Sequence, residues 1–132
     1  MAFRGTAYQG MPRTDYVKAG RWVRRNFSLT KEEHVGVAND YLNDAGRLMG
    51  EYYRHVNREL GFLRHAGTDP GPLISGVVSD KFPARVKEGL RQQLTEINWL
   101  VDAAMGHYAA AGKRIQTYRA EFHRRVTERV GV

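Results

Sequence analysis

Residues 94–122 read LTEINWLVDAAMGHYAAAGKRIQTYRAEF. Leu94, Ile97, Val101, Ala104, Tyr108, Ala111, Ile115, Tyr118 and Phe122 recur at alternating steps of three and four. That is the spacing of a helix with one apolar stripe, sustained for longer than a chance pattern supplies. Upstream, Asp80 can cap such a helix and Pro83 is tolerated in a first turn, so the spacing predicts one long helix over 81–129.

A second seam precedes it. Val35, Ala38, Leu42, Ala45, Met49, Tyr52 and Val56 keep the same alternation, and Leu60 and Leu63 extend it. Its start is marked by Thr30 and Glu33, a capping-box pair able to satisfy each other's orphan backbone N–H. Its end lies near His65, because Gly67 suits a C-terminal cap and Pro70 and Pro72 follow. The expected helix is 31–65, and 66–80 is the connecting tip loop. Before it, Thr14 or Asp15 can cap a short helix over 14–27 whose apolar positions are Tyr16, Gly20, Val23 and Phe27. Residues 1–12, with Gly5, Gly10 and Pro12 and no periodicity, read as an extended arm.

At about 1.5 Å per residue the two long helices measure about 52 Å and about 73 Å, and the excess of about 21 Å matches the short first helix. The implied fold is all-α in a single helical domain over 1–132: a long antiparallel two-helix hairpin, coiled-coil-like, plus a short N-terminal helix packed beside 115–129 and an extended N-terminal arm. Pairing His65 near Lys81 sets Gly36 opposite Ala110, where glycine would allow close backbone approach. Tyr41, Leu48, Tyr53 and Leu100 lie beside the seams and widen the apolar stripe, which suggests that sister chains or a partner cover it.

Composition sets the chemistry aside. The chain has no cysteine, so disulfides, thiolate metal sites and cysteine nucleophiles are excluded. No apolar run approaches a membrane span, and the N-terminus lacks the apolar centre of a secretory signal. The expected location is therefore the cytoplasm, or a virion if the chain is phage-encoded, with no membrane contact. No glycine-rich phosphate loop occurs. Five histidines raise the question of a metal, but no Glu-x-x-His pair is present and Glu51 stands one residue too far from His55, so structural or surface roles are expected. Glu32 with Glu33, and Asp40 with Asp44, have no pocket implied around them. No catalytic residue, metal ligand or cofactor is expected.

The net charge of +7 is unevenly placed. Residues 1–25 hold six Lys or Arg against one acid and residues 113–132 hold six more against two, so the ends carry +9 and the middle −2. In a hairpin the two ends meet. Lys18, Arg21, Arg24, Arg25, Lys113, Arg114, Arg119, Arg124, Arg125 and Arg129 then form a basic pole, suited to an acidic protein surface or to phosphates. At the other end the tip loop offers Leu73, Ile74, Val77 and Val78, which either cap the hairpin or dock against a neighbour.

These features point to a non-enzymatic structural or adaptor subunit of a larger assembly, for which a bacteriophage virion is one setting. Its partners would be proteins, in a homo-oligomer or a hetero-assembly, with the arm lying along a neighbour. The alternatives are a sequence-independent nucleic-acid-binding protein and an accessory subunit of an enzyme complex.

Overall fold

The computed structural model describes residues 5–67 and 82–113. Helix α1 spans Tyr16–Asn26, α2 spans Lys31–His65 and α3 spans Ala84–Ala110, preceded by a 3₁₀ turn at Gly5–Tyr8. The architecture is all-helical, with α2 and α3 packed as a hairpin and α1 laid on α3.

The starts of α1 and α2 follow their caps. Asp15 accepts the Lys18 N–H at 3.1 Å. Thr30 accepts the Glu33 N–H at 3.1 Å while Glu33 accepts the Thr30 N–H at 2.9 Å, closing the capping box. The Thr30 backbone N–H first, and the Thr30 side chain second, hold the Glu33 carboxyl below its ordinary range.

Helix α3 differs from its expected span at both described ends. It begins at Ala84, with Pro83 in the cap position rather than inside the first turn, since Pro83 has the extended ψ of 149°. It does not run on through Gly112. The Gly112 N–H donates to the Ala109 carbonyl at 2.9 Å and the Lys113 N–H to the Tyr108 carbonyl at 2.9 Å, the Schellman pair of bonds that ends a helix. Gly112 takes a φ of +77°, which glycine adopts without strain. The apolar alternation crosses this point because periodicity is blind to backbone chirality. The expected continuation over 114–129 lies outside the described residues.

The expected antiparallel register holds to within two residues, for His55 meets Gln93 and Tyr108 donates to Asn39. The expected Gly36 contact does not form. Gly36 is at the right height but on the outer face, and a Cβ there would meet nothing within 4 Å. Ala109 and Ala110 instead receive Gly20 of α1, where a Cβ would stand 2.7 Å from the Ala109 Cβ and 2.9 Å from its carbonyl carbon. Gly20→Ala should therefore destabilise the chain by about 1–3 kcal/mol through overpacking against backbone that cannot yield. Gly36→Ala should stabilise it by about 0.5–1 kcal/mol through helix propensity alone. Urea unfolding of the two variants checks both signs.

Two apolar clusters result among the described residues. The larger fills the hairpin, from Ala38 and Leu42 to Leu60 on α2 and from Phe82 to Tyr108 on the other arm. Leu100, expected beside the seam, is buried in it, and Tyr41, Leu48 and Tyr53 pack against it half-buried, so these four lie against the hairpin's own core. The smaller cluster joins Tyr8, Met11, Ala19 and Val23 to Ala103 and Ala110. From Gly5 onward the N-terminal residues are thus not an extended arm: a 3₁₀ turn tucks the Tyr8 ring and the Met11 thioether onto α3, because both have apolar surface to bury.

Candidate functional site: a buried histidine–tyrosine chain beneath a basic helix

Four elements converge where α1 ends over α3. His107 of α3 is fully buried and His34, in the first turn of α2, is 2% exposed. Their Nδ1 atoms lie 2.9 Å apart. The Tyr8 oxygen is 2.7 Å from His107 Nε2, and the Tyr8 hydroxyl donates to the Tyr41 oxygen at 2.9 Å. Around this chain the rings are close-packed: Phe27 stacks on Tyr8 at 5.1 Å and meets His107 edge-on at 5.1 Å. Tyr41 lies 6.1 Å from His107.

With the Tyr8 hydroxyl donating to Tyr41, proton counting sets the polarity of the other bonds. A tyrosine hydroxyl has one proton, and Tyr8 gives its own to Tyr41, so the Tyr8 oxygen accepts from His107 Nε2–H. A neutral His107 then has a bare Nδ1, which accepts from His34 Nδ1–H. Every bond is satisfied with both imidazoles neutral. No buried side-chain nitrogen or oxygen among the described residues lacks a partner.

The electrostatics agree. Burial, reinforced by His34, pushes the His107 imidazole down to about 4. Burial likewise lowers His34; Arg24 adds to that and Glu33 opposes it. Burial and the Tyr41 contact push the Tyr8 phenol up, so it stays protonated. The arrangement stores a proton preference, and it offers no nucleophile to solvent. No group of three or more histidine, aspartate or glutamate side chains able to hold a metal occurs among the described residues.

The other singled-out groups lie apart from it. His55 bonds Gln93 at 2.9 Å and stands 3.8 Å from Glu59, and His65 is exposed at the end of α2. Asp40 and Asp44 line an open groove on α2 with Val37, Tyr41 and Asn43. His123 lies outside the described residues.

Above the chain sits α1. On a helix with 100° per residue, Ala19, Gly20 and Val23 form the buried stripe, and Lys18, Arg21 and Arg25 fall on the side opposite it. Arg24 is exposed on the flank, over His34. The helix contains no acid, and among the described residues no carboxylate forms an ion pair with any of these four cations. Arg13 differs: its Nε donates to Asp102 at 2.7 Å and its guanidinium lies 3.7 Å above the Trp99 ring, so its charge is used to pin the chain on α3.

Of the expected basic pole, the structure places Lys18, Arg21, Arg24 and Arg25 on α1, with Lys113 exposed just past α3. The Tyr16 hydroxyl donates to the Lys113 carbonyl, which brings the start of α1 to the end of α3. Arg114, Arg119, Arg124, Arg125 and Arg129 lie outside the described residues, as do Leu73, Ile74, Val77 and Val78 of the tip loop. The pairing of His34 with His107 across 73 residues was not foreseen from sequence. One signal for it existed: each sits four residues before a small seam residue, Ala38 and Ala111 respectively, and so points inward.

No helix among the described residues is long and apolar enough to cross a membrane. Compared with known proteins, the chain matches no family model, no curated protein and no solved structure.

Proposed function

We propose that the chain is a non-enzymatic structural or adaptor subunit of a larger assembly, docking through the outer face of α1 onto an acidic protein surface. The observation that carries this reading is the placement of Lys18, Arg21 and Arg25 opposite the buried stripe of an acid-free helix. Packing on the opposite side fixes that helix on α3. Its cations therefore present a preset spacing, which lowers the ordering cost of a docked complex. Arginine in particular offers forked donors that match carboxylates. A virion is one setting that suits a small basic helical subunit.

A second reading is favoured by one feature, the half-buried Trp22 beside these cations. Phosphates clamped by Lys18, Arg21, Arg24 and Arg25 with a ring alongside would give sequence-independent binding of nucleic acid. Titration of labelled duplex DNA at two salt concentrations separates the two. Protein docking predicts no measurable DNA complex even at low salt. Affinity that falls steeply with salt, with a log–log slope of about −3 to −4 for four phosphate contacts, would establish the second reading instead.

A further inference from the structure

The buried pair has a property that its neutral form conceals. One added proton can be accepted on His34 Nε2 while His34 Nδ1–H still donates to His107, so the chain of bonds survives. The next proton has only His107 Nδ1 to go to. Two N–H groups would then face each other across 2.9 Å, and two cations would share a buried site.

What gives way is set by the packing. Tyr8 and Phe27, at the two ends of the N-terminal layer, both rest on His107. That layer is held by the smaller cluster, six buried residues of which three are alanines. Among the described residues the hairpin is held by fourteen, including Leu42, Leu90, Ile97 and Tyr108, so the layer is the unit that opens first.

We propose that the His34–His107 pair is a proton-operated latch, in which the second proton breaks the Nδ1–Nδ1 bond and releases the 3₁₀ turn and α1 from an otherwise intact hairpin. The latch is independent of what the basic face of α1 binds. The charged and titratable groups facing it are Tyr8 from the 3₁₀ turn, Arg24 from α1, and Glu33 and Tyr41 from α2. Tyr8 stays neutral, and Glu33 favours a charge on His34 by more than Arg24 opposes it, so burial is what disfavours that charge.

The direction with pH follows. Above the ordinary imidazole value of about 6.5, released and docked forms are both neutral and pH has no effect. Between there and about 4 for His107, the released form binds protons that the docked form refuses, so docking weakens as pH falls. For His107 alone the full effect is a shift of about 300-fold toward release.

The test is amide hydrogen exchange of the full chain at about pH 7.5 and about pH 4.5, corrected for intrinsic exchange rates. Protection of residues 5–27 is expected to fall about tenfold or more, with residues 42–60 and 86–100 unchanged. Loss of both regions together, or of neither, overturns the latch. His34→Gln keeps an N–H for His107 Nδ1 but cannot titrate, and should move the release acidward by about one pH unit or more. An unchanged midpoint overturns the proposal. Independently of any variant, the His107 ring resonance in the unmodified protein should titrate well below 6.5, and a midpoint at or above that value also overturns it.

Discussion

Tyr8→Ala is expected to lower stability by about 3–5 kcal/mol, the usual cost of removing a fully packed aromatic ring. Tyr8 is 1% exposed, stacks on Phe27, and carries the hydroxyl that joins His107 to Tyr41. Removing the ring opens a void in the smaller cluster. It also leaves His107 Nε2–H without its acceptor. Tyr8→Phe separates these terms, because it keeps the ring and loses only the hydroxyl, and should cost about 1–3 kcal/mol. Urea unfolding followed by the fluorescence of Trp22 and Trp99 together reads both, since Trp22 lies 6.3 Å from the Tyr8 ring. A loss below about 1 kcal/mol for the alanine variant would mean that the N-terminal residues do not form the layer described.

Leu90→Ala should cost about 2–5 kcal/mol, for a different reason. Leu90 is fully buried on the α2-facing side of α3, in the stripe it shares with Val86 and Ile97. The cavity lies in the larger cluster, so the loss should appear in the unfolding of the whole hairpin, with an unchanged denaturant slope. Tyr8→Ala, in contrast, should raise exchange first in residues 5–27. A Leu90→Ala variant that loosens only the N-terminal layer would contradict the division into two clusters.

Much of this frame was legible in the sequence, and where it was, a local rule and a long pattern agreed. Thr30 with Glu33 marked the start of α2, and Gly67 marked its end, one residue past the Ala66 cap; Gly67 takes a φ of +77°. The seam from Val35 to Val56 told which face turns inward, and pairing His65 near Lys81 told the register to within two residues. Where pattern and local chemistry disagreed, pattern was the worse guide. Ala111 obeys the apolar alternation, yet Gly112 beside it turns left-handed and ends the helix. The first twelve residues have no period, so the burial of Tyr8 and Met11 depended on a surface supplied by α3, far along the chain. The same is true of the candidate site. His34 and His107 each looked like an isolated inward residue, and only the fold brings their Nδ1 atoms together. The cations of α1 were legible as charge, and the acid-free outer face became visible once Gly20 was seated on Ala109.

The proposed docking of the outer face of α1 onto an acidic protein surface can be put to a direct test. The most direct measurement is purification of the tagged full chain from its native source, wild type beside Lys18→Glu/Arg21→Glu/Arg25→Glu, with retained proteins identified and their stoichiometry measured. Arg24 is left in place because it lies over His34, and circular dichroism is the check that the variant keeps its helices. The expected result is an acidic protein in fixed ratio with the wild-type chain, reduced about tenfold or more by the three reversals, with the same difference reproduced in binding assays with the purified partner. A monomer with no stoichiometric partner, or the same partner held equally by the variant, would contradict the account.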